Sequence, residues 1–249
     1  GIQLETELLR HLPNELVNMM TTGNLVGEVE TPVLAHRNKL SIMISTESAS
    51  DLPKYLIEKY QIAVIPYRVF TEGGVFMDGE ETETDGILSY MGERGKSVRS
   101  LSPEVADYEE FFAEQLVKAQ YIIHIAFAKN ASKAYENALE AAKTFDNVIV
   151  VDSGHLSSGM GLMALCAAEY AANGMTNDAI VKEMEYVKKL IKTSFIVTDT
   201  EYLARSGRIS QKIHAFCKAF MIHPVIALKK SSMKVGSLRI GTRDYAWKK

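Results

Sequence analysis

From Leu40 onward the chain alternates short apolar runs with segments of helical periodicity, and this alternation restricts its fold more than any other feature. The run Leu40–Ser45 predicts a buried strand, and Leu52–Tyr60 predicts the helix that follows it. Tyr121–Phe127 and Ser132–Lys143 repeat the same order. Strands and helices that alternate at this pitch favour a parallel sheet with helices on both faces.

The rest of the chain from residue 40 continues the pattern. Further strands are predicted over residues 62–69, 147–151, 194–198, 225–228 and 235–238. Further helices are predicted over residues 87–92, 107–120, 162–172, 177–190, 201–204 and 213–221. Pro66 marks a bulge or an edge in the strand that contains it. We expect an amino-terminal lobe over about 40–155 and a carboxy-terminal lobe over about 156–249.

Residues 1–39 have a different character. Their apolar residues recur at helical spacing: Leu4, Leu8, Leu9, Leu12, Leu16, Val17 and Met20. Pro13 suits the first turn of a second helix, and residues 27–39 resemble a linker with one strand. The segment is therefore predicted to be a helical extension, or the end of a preceding domain. It would either form a dimer contact or cover a sheet edge.

Composition argues against several classes of protein. The net charge is −3 and the pI is near 6.1, with no basic stretch typical of nucleic-acid binding. No apolar run approaches the roughly 20 residues of a membrane span, and the first residues do not have the order of a signal peptide. Cys166 and Cys217 lie in apolar helical segments, as buried free thiols do. We expect a cytoplasmic protein without a metal or cofactor.

The turns after the predicted strands are the places to look for a site, because ligands of parallel-sheet proteins bind beyond the carboxyl ends of the strands. Hydroxyl groups, basic side chains and helix starts in these turns suit an anion. The candidate residues in the five turns, in chain order, are Thr46 and Ser48, Ser100, Ser132 and Lys133, Ser153 and Gly159, and Arg208.

A hydrolase is the least favoured function. The chain has no Gly-x-Ser-x-Gly elbow and no HExxH pattern. His155 alone has a triad-like neighbourhood, with Asp152, Ser153 and Ser157 close by in sequence. His124 lies within a predicted strand, where a hydrogen-bonded core histidine is the expected role.

Several of these turns, in this order, resemble the DegV family. Thr46 to Pro53 is similar to the family's Thr-Asp-Ser-Thr-Ala-Asp-Leu-Pro, and Ile65-Pro66-Tyr67 to its Val-Pro-Leu. Asp78-Gly79 matches an Asp-Gly pair, and Asp152 to Gly161 matches Asp-Ser…Ser-x-Gly-x-Gly. The stretch Tyr202 to Ser210 resembles Tyr-Leu-x-x-Gly-Gly-Arg-Ile-Ser, and His223 to Ile226 resembles Lys-Pro-Ile-Leu. The resemblance covers about residues 40–249.

This resemblance implies a two-lobed α/β fold with a parallel sheet, which binds a long-chain fatty acid between its lobes and is not an enzyme. It also implies a partner, a DAK-type fatty acid kinase subunit that uses ATP to phosphorylate the bound carboxylate. The acyl chain would lie in an interior apolar tunnel, for which α-helical Leu162, Met163, Leu165, Cys166, Phe216, Phe220 and Met221 are candidates.

The family's carboxylate-binding residues carry over in part. Ser100 stands where the family has a Thr, and Ser132 matches a Ser of its Leu-Ser-Gly-Thr turn. Lys133 replaces the Gly of that turn, so a side chain stands where backbone would approach the ligand, covering the carboxylate or pairing with an anion. Arg208 matches the family's arginine near the head group.

A second hypothesis is a diverged lipid or anion sensor, or a scaffold domain of a longer protein, with an altered or empty pocket. The helical extension and Lys133 favour it. The family's final Gly-x-His-x-Gly-Pro-Gly motif is also absent from these 249 residues, which points in the same direction.

Overall fold

The computed structural model describes residues 2–3, 8–14, 17, 39–82, 84–93, 96–197, 199–205, 209–229 and 231–242. The strands are β1 (Ile2–Gln3), β2 (Leu40–Glu47), β3 (Ala63–Ile65), β4 (Arg68–Thr71), β5 (Gly74–Met77), β6 (Arg99–Leu101), β7 (Ala119–Ala126), β8 (Val148–Asp152), β9 (Lys192–Ile196), β10 (Ile222–Lys229) and β11 (Ser232–Ile240). The helices are α1 (Lys54–Tyr60), α2 (Thr84–Gly92), α3 (Val105–Lys118), α4 (Ala134–Ala142), α5 (Ser157–Ala172), α6 (Asn177–Leu190), α7 (Glu201–Arg205) and α8 (Gln211–Ala219).

A parallel sheet with the order β3-β2-β7-β8 lies at the centre of the amino-terminal half. Its two central strands end in buried runs, because helices cover both of their faces. The apolar face of α3, with Tyr108, Phe111 and Phe112, packs with α4 over one side. The α/β class and the parallel sheet predicted from the sequence are therefore confirmed.

Helix α5 is the most buried helix of the described chain. Every residue from Gly159 to Ala168 is buried, so this helix is apolar on all sides rather than on one stripe. It contacts β2 and β7 of the parallel sheet, and it also contacts β9 and α6. Two glycines permit this close packing: a Cβ on Gly159 would lie 2.1 Å from the Thr193 hydroxyl, and one on Gly161 would lie 2.8 Å from the Ser50 carbonyl oxygen.

A small antiparallel sheet with the order β5-β4-β6 was not predicted from the sequence. The predicted strand over residues 62–69 is divided at Pro66 into β3 and β4, which belong to different sheets. Proline cannot donate to a ladder, so the chain leaves the parallel sheet at this residue. β5 and β6 consist mostly of exposed residues and are only four and three residues long, too short to show the alternation that indicates a strand.

The carboxy-terminal sheet is antiparallel, so the predicted parallel arrangement holds for the sheet of the amino-terminal half. The strand order of the carboxy-terminal sheet is β1-β9-β10-β11, and each pair runs antiparallel. The connection between β10 and β11 is two residues long, and only antiparallel strands can be joined by so short a turn. Ser231 supports this turn with a left-handed φ of 58°.

The β10–β11 hairpin has one fully apolar face. On β10 this face comprises Ile222, Pro224, Ile226 and Leu228, and their cross-strand partners on β11 are Ile240, Leu238, Val235 and Met233. A bulge at Gly236 shifts the register between the two halves of β11 and so keeps the four β11 side chains together. These four side chains are exposed.

The described part of residues 1–39 packs against the rest of the molecule. Ile2–Gln3 pairs with β9, where the sequence had predicted helix, and Leu8–Arg10 forms a short 3₁₀ turn. Leu8 and Leu12 are buried in the same core as α5 and α6. His11 hydrogen-bonds to Tyr170. Of the two roles predicted for this segment, covering an edge is the one these contacts support.

Candidate functional site

The carboxyl ends of β2, β3, β7 and β8 bring three of the predicted turns to one edge of the parallel sheet. These are the turns after β2, with Thr46 and Ser48, after β7, with Ser132, and after β8, with Ser153. The turn after β3 joins them and carries Tyr67, which the sequence had not singled out as a site residue.

Thr46 and Ser48 hold backbone at this edge. The buried Thr46 hydroxyl donates to the carbonyl oxygen of Ile125 at 2.9 Å, which links β2 to β7. The Ser48 hydroxyl accepts from the backbone N–H of Tyr67 at 3.0 Å, which links the β2 turn to the β3 turn. Both hydroxyls therefore have protein partners that fix the shape of the edge.

Ser132 and Tyr67 form a pair of hydroxyls. Their oxygens lie 3.0 Å apart, and the Ser132 oxygen also accepts from the backbone N–H of Ala134 at the start of α4. The Tyr67 ring lies against Phe127, with ring centres 6.3 Å apart. Burial raises the pKa of Tyr67 well above its ordinary value, and the nearby Glu47 carboxylate raises it further against the opposing effect of the Ser132 hydrogen bond.

Glu47 is a fully buried carboxylate behind this edge. Its Oε1 accepts from the Tyr108 hydroxyl at 2.9 Å and from His124 Nε2 at 3.0 Å, and its Oε2 accepts from the Phe127 N–H at 3.0 Å. His124 Nδ1 accepts from the Ser45 hydroxyl at 2.9 Å. The network confirms His124 as a hydrogen-bonded core histidine. No local sequence signal pairs Glu47 with His124, since 77 positions separate them.

The other predicted head-group residues are exposed or lie outside the described chain. Ser100 is exposed on β6, opposite Val69 of β4. Lys133 is exposed, and its ammonium group pairs with Glu136 at 2.6 Å on the outer surface of α4. Arg208 lies outside the described residues.

The turn after β8 is organised by Asp152. Its Oδ1 accepts from the N–H groups of Lys129 and Gly154, and its Oδ2 accepts from the Lys188 ammonium at 2.9 Å and the Ser231 hydroxyl at 3.1 Å. Burial alone would raise the pKa of Asp152, but the hydrogen bond from Lys188 and those from the two backbone N–H groups outweigh burial and lower it. Asp152 thus joins the parallel sheet to α6 and to the β10–β11 turn.

The geometry does not assemble the triad of the hydrolase hypothesis. His155 Nε2 lies 3.0 Å from the carbonyl oxygen of Lys188, and its Nδ1 lies 3.0 Å from the Thr193 hydroxyl. The Ser153 hydroxyl donates to the carbonyl oxygen of His155, and that of Ser157 donates to Asp51. Both ring nitrogens are therefore occupied by groups other than a serine nucleophile.

Gly159 lies at the contact between α5 and β9 rather than in a loop. It lies in the first turn of α5, where an added Cβ would meet Thr193 and the His155 side chain. The Gly159 position therefore brings α5 close to β9.

A cleft of about 500 Å³ opens beside the edge of the parallel sheet that carries the hydroxyls of Ser48, Tyr67 and Ser132, here called the hydroxyl edge. Its lining includes Ser48 and the apolar side chains of Leu52, Ile57 and Val64. Acidic residues line the cleft as well: Asp51, Asp78, Glu80 and Asp85. Burial raises the pKa of Asp51 and the negative charge of Asp78 adds to the rise, against the lowering effect of the hydrogen bond from Ser157.

Metal ligands, cysteines and membrane-spanning helices are the remaining features of functional interest in the described residues. Among them, no three His, Cys, Asp or Glu side chains are grouped so that they could hold a metal ion. Both cysteines are buried free thiols, as predicted, and burial raises the pKa of Cys166 to about 12. Within the described chain no helix is both long enough and apolar enough to cross a bilayer.

Comparison with known proteins identifies relatives over most of the chain. One protein family, described as uncharacterised protein, DegV family, matches residues 41–248. A fatty-acid-binding DegV family protein from Thermus thermophilus has a similar structure, with a TM-score of 0.70 and 27% identity over 84% of this chain and 76% of that one.

Two further solved structures extend this comparison. DegV from Bacillus subtilis, described as a fatty acid binding protein, has a TM-score of 0.72 and 25% identity over 84% of this chain and 75% of that one. The Fatty Acid Kinase (Fak) B3 protein of Streptococcus pneumoniae, loaded with linoleic acid, has a TM-score of 0.69 over 82% of this chain and 75% of that one. At 17% identity the latter is a likeness of fold alone. The prediction of a lipid-binding protein rather than an enzyme agrees with these descriptions.

Proposed function

Because the chain belongs to the DegV family, we propose that it binds one long-chain fatty acid and presents the carboxylate to a kinase partner. The observation that carries the proposal is its likeness, at 25% identity or more, to two solved relatives described as fatty-acid-binding. The chain itself supplies hydroxyl groups at the edge of the sheet where parallel-sheet proteins bind ligands.

The head group is assigned to the hydroxyl edge. A carboxylate that leaves water needs hydrogen-bond donors, and Ser132 is the predicted residue whose hydroxyl lies at this edge beside a second hydroxyl. Ser100, Lys133 and Arg208 remain predicted contributors from the neighbouring strand, the helix start and the carboxy-terminal lobe. Thr46, Ser48, Ser153 and Gly159 are assigned the supporting role of shaping the turns around the ligand.

The acyl chain is assigned to apolar surface next to this edge. The cleft has an apolar floor and a volume in the range of small-molecule sites. Its lining has four acidic residues against one lysine, Lys54, and this excess of negative charge would repel a carboxylate, so the charged end would point to the hydroxyl pair and the tail to the apolar side chains. Of the tunnel candidates, those on α5 are packed in the core, whereas Phe216, Phe220 and Met221 are exposed.

Mass spectrometry of the purified protein tests lipid binding directly. We expect a native mass that exceeds the chain mass by one fatty acid, and loss of this increment on denaturation. The Ser132→Ala variant should retain less lipid, whereas Ser237→Ala, on the distant β11 strand, should retain as much as the wild type. A bare protein that also fails to take up added oleate would contradict the proposal and favour the diverged sensor or scaffold.

The kinase step is tested with a DAK-type kinase subunit and ATP. Transfer of the γ-phosphoryl group to a carboxylate oxygen would give ADP and an acyl phosphate, which hydroxylamine converts to a hydroxamate. We expect hydroxamate only when both proteins and ATP are present. Oleate-loaded protein that yields none with an active kinase subunit would restrict the proposal to fatty-acid binding.

A further inference from the structure

We propose that Tyr67 is a ligand-binding residue of the head-group site, and that its hydroxyl and that of Ser132 together bind the two oxygens of one carboxylate. This inference rests on the proposed fatty-acid function and adds a specificity-determining residue to it. Residues 65–67 resemble the family's Val-Pro-Leu, in which the residue at the position of Tyr67 is apolar. Tyr67 therefore brings a hydroxyl that the family motif does not have.

The backbone around Ser132 has few donors to offer a ligand. The N–H of Phe127 donates to Glu47, that of Ala128 donates to the His155 carbonyl oxygen, and that of Lys129 donates to Asp152. The N–H groups of Ala131, Ser132 and Ala134 also have acceptors within the same turn. With these N–H groups engaged, the hydroxyls of Tyr67 and Ser132 are two donors that this turn can offer a carboxylate.

The Tyr67 hydroxyl is held in place from several directions. The backbone N–H of Tyr67 donates to the Ser48 hydroxyl at 3.0 Å, and the Tyr67 carbonyl oxygen accepts from the Asp78 N–H at 2.9 Å. Its ring rests against Phe127, whose N–H is itself fixed by Glu47. A donor that is already ordered costs little conformational entropy on binding, which favours a site over an incidental contact.

The phenol remains a donor throughout the physiological pH range. Burial and the neighbouring Glu47 charge both disfavour the phenolate, so the oxygen keeps its proton. Since the Ser132 oxygen accepts from Ala134, its proton is directed away from that N–H and can point to Tyr67 or to a ligand. The pair therefore holds two protons, and a carboxylate can accept both if their mutual hydrogen bond is given up.

Two hydroxyl donors predict selectivity for a carboxylate over an uncharged ester. Hydrogen bonds to charged groups are stronger than those to neutral ones, by roughly 10- to 100-fold in affinity against about 5-fold. The Tyr67 contribution should therefore appear with a fatty acid and be much smaller with its methyl ester. A residue that served only to pack the turn would affect both ligands equally.

The test is the affinity of the full chain for oleate and for methyl oleate. Tyr67→Phe keeps the ring against Phe127 and removes only the hydroxyl, and we expect it to weaken oleate binding roughly 10- to 100-fold. Methyl oleate binding should weaken by about 5-fold or less, the size of one neutral hydrogen bond. The matched control is Tyr121→Phe, because Tyr121 is exposed on β7 away from this edge.

A double-mutant cycle with Ser132→Ala, measured with oleate and again with methyl oleate, separates direct binding from packing, because coupling through packing alone would be the same for both ligands. If the two hydroxyls share one carboxylate, the loss in Tyr67→Phe/Ser132→Ala will be smaller than the product of the two single losses. Oleate affinity that is unchanged or higher in Tyr67→Phe would overturn this inference while leaving the proposed function intact. Wild-type protein that binds no oleate would overturn both.

Discussion

The parallel sheet and the β10–β11 hairpin differ in how completely their apolar side chains are covered. Around the parallel sheet, Ile122, Ile123 and Met163 are fully buried, and even the polar Glu47 and His124 have partners. On β11, and on α8 and the residues that follow it, many large apolar side chains are exposed, with Phe220 at 59% and Ile240 at 65%. Among the described residues, the apolar side chains of the first region are covered, whereas the second region has an exposed apolar face.

Charge sharpens the same contrast. Asp and Glu are spread along the chain up to Glu201, but none occurs between Glu201 and Asp244, where lysines and arginines recur. The carboxy-terminal region is therefore basic within a protein of net charge −3. Stability in the first region comes from burial and satisfied polar groups, so substitutions in the two regions should have effects of different size.

The largest effect is expected for Glu47→Ala. The substitution leaves Tyr108, His124 and the Phe127 N–H without their shared acceptor in a fully buried place. We expect the free energy of unfolding to fall by about 3–5 kcal/mol, measured by urea denaturation.

The control for Glu47→Ala is Glu136→Ala, because Glu136 is exposed in its ion pair with Lys133. This change should cost less than about 1 kcal/mol. Equal losses in the two variants would show that the buried network does not stabilise the parallel-sheet region.

A smaller effect is expected from pH at the joint between the regions. Burial lowers the pKa of His155 below its ordinary value, and the positive charge of Lys188 lowers it further. The hydrogen bond to the Lys188 carbonyl oxygen and the negative charge of Asp152 oppose this shift but do not cancel it. The unfolded chain therefore takes up a proton near pH 6.5 that the folded chain resists, so stability falls as the pH drops below about 6.5. One proton can contribute at most about 1.4 kcal/mol per pH unit.

Urea denaturation at pH 7.5 and pH 5.5 measures this dependence. His155→Gln retains a donor and an acceptor but does not titrate, so its stability should fall less between the two pH values than that of the wild type. The same fall in both proteins would assign the pH dependence to other groups.

The smallest effect is expected for Phe220→Ala. Phe220 is exposed, and its main ring contact is with Phe216 at 4.8 Å between centres. The free energy of unfolding should change by less than about 1 kcal/mol. The contrasting variant is Met163→Ala in the buried helix α5, which should cost about 2–5 kcal/mol. A loss of that size for Phe220→Ala would mean that another part of the protein covers this face in solution.

Elements with strong local signals could be predicted from the sequence. Helix α6 begins and ends at the predicted residues, 177 and 190, because it has a polar start and a regular apolar face that buries Ile180, Met184 and Val187. β5 and β6 were missed because their residues are largely exposed, so no buried face constrains their composition. The antiparallel direction of the carboxy-terminal strands was not predicted, since it depends on a short turn rather than on apolar pattern.

The candidate site could be predicted in part for a similar reason. Ser48 and Ser132 were predicted because they lie in turns that follow predicted strands, and the structure places the β2 and β7 turns at one edge of the sheet. Tyr67 was missed because the predicted strand continued through Pro66, although the chain changes sheets there. Its hydrogen bond to Ser132 spans 65 positions, a distance over which sequence periodicity carries no information.

The bulge at Gly236 has a consequence for the length of the hairpin. Val235 pairs with Ile226 and Ser237 pairs with Val225, so Gly236 is one residue more than the ladder uses. Its loss would leave Leu238 opposite Pro224 and on the same face as before. The hairpin can therefore accept a one-residue deletion at Gly236, whereas the same deletion in a regular strand would turn the following side chains to the opposite face. A chain of this kind can thus be one residue shorter here without repacking.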